Sequence, residues 1–182
     1  MKVFVLLADG FEEIEALASV DVLRRAGIET PMVSVYNKEW VTSARNIGVK
    51  ADLGLDGLKV ATEDVLFIPG GLKGVEGLEA SNEVVTLLKE HRRMDGLLAA
   101  ICAGPSLPGK LGLLEGYKAV CYPGFENALL GAQVHYEAAL IDRNVVTGRG
   151  AGVALEFAFT LLEKLKGRDA ADKVKKAMLF DR

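Results

Sequence analysis

The sequence predicts an α/β fold in which a mostly parallel sheet is covered by helices on both faces. Apolar runs of strand length alternate along the chain with longer helical segments. Several of these runs are apolar at every position rather than at every second one, which indicates strands that are buried on both sides. Ligands of such sheets bind beyond the carboxyl ends of the strands, so a functional site is expected at that edge.

The first third of the chain predicts a strand, a helix and a second strand. Residues 3–8 are a short apolar run. Residues 12–26 repeat apolar positions at helical spacing, and Gly27 follows as the C-terminal cap. Residues 28–35 predict the second strand. Pro31 places this strand near an edge or a bulge of the sheet, because proline lacks the N–H that a strand ladder uses.

The middle of the chain begins irregularly and then returns to strand and helix. Residues 36–60 predict only short strand-like pieces. Residues 65–69 form an apolar run that ends in two glycines, which predicts a buried strand and a turn. A helix is expected at residues 82–93, and residues 97–101 predict the next buried strand.

The last part of the chain predicts a short helix, two strand segments and a long helix. These elements lie, in order, between Cys102 and Leu114, at 119–122, at 134–147 and at 153–165. A Pro-Gly pair at 108–109 makes the short helix irregular. A turn is expected near residues 142–144, and Gly167 caps the last helix.

Length, charge and cysteine count limit the class of protein. With 182 residues the chain suits one domain, predicted at 1–182, and is too short for two independent cores. The net charge is −3 and no basic stripe occurs, which disfavours nucleic acid as a partner. No apolar run has the length of a membrane span, and the first ends at Asp9-Gly10 without the features of a signal peptide. Two cysteines form no disulfide framework, so a cytoplasmic setting is expected.

Cys102 stands between a buried strand and a helix and is followed by Ala103 and Gly104. A sharp strand-to-helix turn requires small residues, because the backbone doubles back beneath the side chain at its tip. Such a turn exposes the sulfur near a helix N-terminus that favours thiolate, and directs the N–H of Ala103 at an oxyanion. We therefore predict that Cys102 is a nucleophile, with core packing as the alternative. Cys121 lies inside an apolar strand and is predicted to serve packing.

Glu15 falls on the apolar side of the first predicted helix at 100° per residue. A carboxylate there is costly unless it is protonated or well hydrogen-bonded. The first turn of this helix also lies near the carboxyl edge of the sheet. We predict that Glu15 is a buried carboxyl of raised pKa that moves protons beside Cys102. The alternative is a solvated first-turn carboxylate, which is what Glu12 and Glu13 are expected to be.

Two glycines and two histidines are further candidates. Gly70 and Gly71 can adopt positive φ and direct N–H groups at an anion, although a plain tight turn is the alternative. His91 belongs to a charged helix end and is expected to be solvated. His135 can approach the thiol from a neighbouring loop, with a structural role as the alternative. No His and Cys cluster has metal-ligand spacing, so neither a metal nor a cofactor is expected.

Five segments are distinctive in combination. They are ADGFEEIE at 8–15, DVLRRAG at 21–27, PGG at 69–71, AICAGP at 100–105 and DRNVVT at 142–147. With them the whole chain resembles the ThiJ/PfpI superfamily, closest to its Parkinsonism-associated deglycase branch. PfpI-type peptidases carry a histidine immediately after the nucleophile, where this chain has Ala103, so a peptidase is disfavoured.

The resemblance implies a flavodoxin-like three-layer sandwich, a mostly parallel sheet with helices on both faces. It also implies a site in which a protonated Glu15 hydrogen-bonds an oxidation-prone Cys102. The N–H groups of Gly71 and Ala103 would surround that sulfur, with Gly70 beside them.

The resemblance further implies a homodimer. Ile14 and Leu17 lie beside the charged arc of the first helix, where a dimer would cover them. Arg45 matches a family arginine near the dimer interface and the cysteine. A family histidine falls in the loop around residues 133–135, where either Gln133 or His135 would face the cysteine.

Two functions from different classes fit these residues. In the first, the Cys102 thiolate adds to a small reactive carbonyl such as methylglyoxal, Glu15 moves the proton and water releases a hydroxy acid. This is a glyoxalase III-like or deglycase-like enzyme without a cofactor. In the second, oxidation of Cys102 to a sulfinate makes the protein a redox sensor or stress chaperone. A cysteine peptidase or amidotransferase relative is a weaker hypothesis, since it needs a histidine within reach of the sulfur.

Overall fold

The computed structural model describes residues 1–180 and has the predicted α/β architecture. The last two residues of the expected domain 1–182 lie outside the described part. The helices are α1 (Glu13–Arg25), α2 (Leu72–Ala80), α3 (Asn82–Arg93), α4 (Ser106–Lys110), α5 (Ala154–Lys166) and α6 (Arg168–Ala177). The strands are β1 (Val3–Leu7), β2 (Met32–Ser34), β3 (Trp40–Thr42), β4 (Gly48–Lys50), β5 (Leu53–Gly54), β6 (Val65–Ile68), β7 (Leu97–Ile101), β8 (Lys118–Ala119), β9 (Gln133–Val134), β10 (Ala139–Asp142) and β11 (Val145–Gly148).

The main sheet has seven strands in the order β10-β11-β7-β6-β1-β2-β5. Only β10 runs antiparallel to its neighbour, so the predicted, mostly parallel sheet is confirmed. Val5 of β1 pairs with Phe67 of β6, which pairs with Ala99 of β7. The carboxyl ends of these three strands therefore meet at one edge, and the loops that follow them are neighbours in space.

Apolar side chains pack on both faces of the sheet. In β1, Val3, Val5 and Leu7 belong to the cluster that faces α1, α5 and α6, whereas Phe4 and Leu6 face α2, α3 and α4. Alternate residues of a strand point to opposite faces, so burial of both faces requires an apolar residue at every position. The two clusters attach a layer of helices to each face of the central sheet, which gives the three layers of a flavodoxin-like sandwich.

Some elements differ from the prediction. Helix α2 was not predicted because Gly74 and Gly77 lower helix propensity. A Cβ at Gly74 would lie 2.7 Å from the backbone of Phe11, so the glycine permits close packing of α2 against the loop after β1. Helix α6 was also not predicted. The expected strand at 119–122 is reduced to β8, which pairs with β9 outside the main sheet.

Two residues expected to be solvated are buried. His91 is only 1% exposed, and its Nε2 lies 3.2 Å from the carbonyl oxygen of Leu97. Its ring fills the space above Gly96, where a Cβ would overlap it. Burial lowers the pKa of His91, so the ring is neutral at pH 7. Glu13 is 7% exposed, which corrects the expectation of a solvated first-turn carboxylate.

Candidate active site

Cys102 occupies a sharp turn between β7 and α4. Its φ is +64°, an uncommon and strained conformation for a residue other than glycine. The Cys102 N–H donates to the carbonyl of Gly148 at 2.9 Å, which anchors the turn to β11. A Cβ at Gly104 would lie 2.5 Å from the carbonyl oxygen of Ile68 and 2.8 Å from that of Ile101. The turn that the small residues predict is therefore present.

Three loops from distant parts of the sequence meet at this turn. The N–H of Glu12, after β1, donates to the carbonyl of Gly70, after β6, at 2.9 Å. The N–H of Gly70 donates in turn to Oε2 of Glu15 at 2.7 Å. A Cβ at Gly70 would overlap Glu15 Oε2 and would lie 3.1 Å from Sγ of Cys102. Glycine at this position therefore allows the carboxyl and the thiol to approach each other.

Glu15 is fully buried, as its position on the helix predicts. Oε1 is sealed from solvent and has no hydrogen-bond partner within residues 1–180, and the carboxyl lies beside the Cys102 thiol. Burial raises the pKa of Glu15 to about 7, against the lowering effect of its bonds to Cys102 and Gly70. The carboxyl can therefore exist in both protonation states near neutral pH.

The Cys102 thiol is held in its neutral form. Burial raises the pKa of Cys102 to about 12, and the charge of Glu15 acts in the same direction. The expectation that a helix N-terminus favours thiolate is wrong here, because α4 is five residues long and begins only at Ser106. Desolvation and the neighbouring carboxylate outweigh the backbone donors. The two acids therefore carry at most one negative charge between them at neutral pH.

Two backbone N–H groups are directed at the sulfur. They belong to Gly71 and Ala103, and both lower the pKa of Cys102. Gly71 has φ of +88°, and a Cβ there would lie 2.7 Å from the nitrogen of Glu12. The Gly70 N–H differs from its expected role, since it is occupied by the Glu15 carboxyl. Gly71 and Ala103 can stabilise negative charge that develops beside the sulfur.

Three other candidates lie elsewhere. The ring of His135 pairs with Glu137, at 3.3 Å between Nδ1 and Oε1, and Gln133 belongs to the exposed strand β9. The exposed Arg45 directs its guanidinium at the neighbouring carbonyl of Ala44. Within the described chain no hydrogen bond joins any of these side chains to Cys102.

Tyr122 lies beside the thiol, although the sequence analysis does not identify it as a site residue. Its N–H donates to the carbonyl of Cys102 at 2.8 Å. A Cβ at Gly150 would lie 3.2 Å from Cδ2 of Tyr122 and 4.0 Å from Sγ of Cys102, so ring and sulfur flank the same glycine. The available signal was an aromatic residue that ends an apolar run directly before Pro123. Cys121, by contrast, is buried in a separate cluster.

Neither a metal-binding cluster nor a membrane-spanning helix occurs within residues 1–180. Within residues 1–180, no three His, Cys, Asp or Glu side chains are grouped to hold a metal ion. No helix in that part of the chain is long and apolar enough to cross a membrane.

Fold and site together define a class of protein: an α/β sandwich with a cysteine on a strand-to-helix turn and a buried glutamate in contact with it. Comparison with known families matches residues 1–164 to the DJ-1/PfpI family, and the chain belongs to that family. The resemblance inferred from the sequence is therefore confirmed.

Individual relatives cover almost the whole chain. Parkinson disease protein 7 homolog of Danio rerio is 37% identical over 183 residues, which span 98% of this chain and 97% of the relative. Glutathione-independent glyoxalase DJR-1.2 of Caenorhabditis elegans is 30% identical over 92% of this chain and 89% of its own. The structure of oxidized DJ-1 from Toxoplasma gondii superposes with a TM-score of 0.93 at 35% identity, covering 100% of this chain and 99% of that one.

We predict that Glu15→Gln changes the free energy of unfolding, relative to wild type, more favourably at pH 8 than at pH 4.5. The pKa of Glu15 is raised in the folded state, so its contribution to stability falls as pH rises from about 4.5 to about 7. Glutamine retains an oxygen for the Gly70 N–H but carries no charge. The variant should gain on the order of 3 kcal/mol relative to wild type over this range, measured by urea unfolding at both pH values.

The exposed Glu163 on α5 offers a matched control. Glu163→Gln should change the free energy of unfolding equally at the two pH values. An equal effect of Glu15→Gln at both values would contradict the raised pKa.

Proposed function

We propose that the protein is a cofactor-independent enzyme that acts on small reactive carbonyls, of the glyoxalase III-like or deglycase-like kind. The observation that carries the proposal is the contact between the Cys102 thiol and Glu15, whose pKa is raised to about 7. A carboxyl with this pKa can both accept and return a proton at neutral pH. The relative that is named a glutathione-independent glyoxalase supports this choice of substrate.

In the first step the sulfur attacks the aldehyde carbon of a 2-oxoaldehyde. A carbon–sulfur bond forms while the thiol proton passes to the Glu15 carboxylate, so no free thiolate has to accumulate. The carbonyl oxygen gains negative charge next to the N–H groups of Gly71 and Ala103. Protonation of this oxygen by Glu15 gives a hemithioacetal.

In the second step Glu15 moves a proton between the two carbons of the former 2-oxoaldehyde. It removes the C–H proton of the hemithioacetal carbon and the resulting enediol is protonated at the neighbouring carbon, which yields a thioester. Water then attacks the thioester, releases the 2-hydroxy acid and restores the Cys102 thiol. Methylglyoxal and one water thus give lactate, without an external oxidant or reductant.

The proposal predicts that purified protein converts methylglyoxal to lactate and that Cys102→Ser abolishes this conversion. Serine lacks the nucleophilic sulfur, so the rate should fall by at least about a hundredfold. Cys121→Ser is the matched control and should retain activity, since Cys121 lies in a separate buried cluster. Absence of lactate at any protein concentration would refute the proposal.

The pH dependence should report Glu15. Because the ionised carboxylate accepts the thiol proton, kcat/KM is expected to rise as pH increases through about 7 and then to level off. Glu15→Gln should lose most activity, and its remaining activity should lack this rise. A profile that rises only near the pKa of the thiol would show that Glu15 is not the base.

A redox function is the second candidate, since the N–H groups of Gly71 and Ala103 and a protonated Glu15 could hold a sulfinate. The Toxoplasma relative, solved in an oxidized form, supports it. Two equivalents of hydrogen peroxide would oxidise the thiol to a sulfinic acid and be reduced to two molecules of water. Intact mass should then increase by two oxygen atoms, located at Cys102 and absent in Cys102→Ser. Oxidation of Cys121 instead would contradict a specific sensor.

We also propose that the chain forms a homodimer in the cytoplasm. Ile14 is 55% and Leu17 36% exposed on one face of α1, which leaves apolar surface for a second copy to cover. Arg45 is exposed in the loop between β3 and β4, so a partner subunit could reposition it.

A further inference from the structure

A cavity of about 280 Å³ opens beside the cysteine turn. It is lined by Tyr122, Pro123, Arg149 and residues 150–153. Gly150 lines the cavity and is a neighbour of the thiol, since a Cβ at Gly150 would lie 4.0 Å from Sγ of Cys102. A substrate whose reacting carbon lies at the sulfur can therefore place its substituent in the cavity.

Tyr122 forms one wall of the cavity. Its ring is half exposed, so core packing does not account for an aromatic residue here. The ring makes an edge-on contact with Phe125 at 6.5 Å between centroids, and its backbone is fixed by the bond to Cys102. These contacts hold the ring beside Gly150 before any substrate binds.

The chemistry of the other walls favours a flat apolar group. Pro123 and Val153 are apolar, and the glycines at 150 and 152 leave room above the backbone, with nothing within 4 Å of a Cβ at Gly152. Arg149 lines the same cavity and bonds to the carbonyl of Tyr136 at 3.3 Å. Arginine guanidinium groups and tyrosine rings both stack on aromatic rings.

We propose that this cavity binds the substituent of the carbonyl substrate and selects 2-oxoaldehydes that carry an aromatic ring over methylglyoxal. The assignment rests on the proposed function for the identity of the reacting carbonyl. Tyr122 is the specificity-determining residue, because its half-exposed ring lines the cavity and lies beside Gly150, the lining residue next to the thiol. A phenyl group should bury several tens of Å² more apolar surface than a methyl group, which corresponds to about a fivefold preference.

Alkylation of Cys102 tests the cavity without requiring turnover. Phenacyl bromide and bromoacetone present the same reacting carbon, from which the sulfur displaces bromide, and differ only in phenyl against methyl. The rate of alkylation of Cys102 by each compound is followed by peptide mass and divided by the rate of the same compound with N-acetylcysteine. The normalised rate should be about fivefold higher for the phenyl compound in wild type. The ratio should fall to about one in Tyr122→Ala and remain in the matched control Tyr122→Phe.

Two glycine variants provide a second measurement. Gly150→Ala places a methyl group between the ring and the sulfur and should lower the ratio, whereas Gly152→Ala meets open space and should lower it less. A wild-type ratio near one, or a ratio that Tyr122→Ala leaves unchanged, would overturn the assignment.

Turnover separates this inference from the proposed function. With phenylglyoxal and methylglyoxal as substrates, kcat/KM should show the same preference and the same loss in Tyr122→Ala. Selective alkylation without turnover of either aldehyde would refute the enzyme but retain the cavity. Turnover of both aldehydes at equal efficiency, with an alkylation ratio near one, would refute the cavity and retain the enzyme.

Discussion

The site depends on one constraint: the Glu15 carboxyl is buried beside a thiol and has no cationic partner among residues 1–180. The Gly70 N–H, which donates to Glu15 across 55 positions of sequence, is the contact that makes this arrangement tolerable. It exists because β6 lies between β1 and β7, so the loops after all three strands share an edge. The order of strands in the sheet thus determines the chemistry of the site.

The electrostatics follow from this burial. A carboxylate and a thiolate side by side in a desolvated site repel each other, so the second negative charge is strongly disfavoured. The N–H groups of Gly71 and Ala103 lower the pKa of Cys102 but do not overcome desolvation and the charge of Glu15. The pair therefore holds a proton that can move from one group to the other, rather than a preformed thiolate.

Sequence reasoning found the features that depend on local pattern. The elbow at Cys102 followed from small residues after a buried strand, and the burial of Glu15 followed from helical periodicity. His91 was assigned to solvent because of its charged neighbours, although it shares a helical face with Val84 and Leu88, which are buried. The helical spacing of His91 from Val84 and Leu88 was therefore a better indication of its burial than the charge of its neighbours.

The remaining features arise from tertiary packing, which no local pattern records. The protonation state of Cys102 depends on how deeply the surrounding loops bury it, and the same residues on an exposed turn would favour thiolate. The position of Tyr122 depends on a bond from its backbone to that of Cys102, between segments twenty residues apart. Gln133 and His135 were plausible candidates only while the path of the chain after Tyr122 was unknown.

The state of the thiol also bears on the choice between the two functions. Oxidation by peroxide proceeds through the thiolate, so a pKa raised to about 12 slows it in the resting protein. Addition to an aldehyde does not require a free thiolate, because Glu15 can accept the proton as the carbon–sulfur bond forms. A site that disfavours thiolate but places a base with a pKa of about 7 in contact with the thiol is therefore better suited to carbonyl chemistry. Oxidation would become fast only when the thiol proton moves to Glu15 and leaves the single negative charge on the sulfur, where Gly71 and Ala103 can stabilise it.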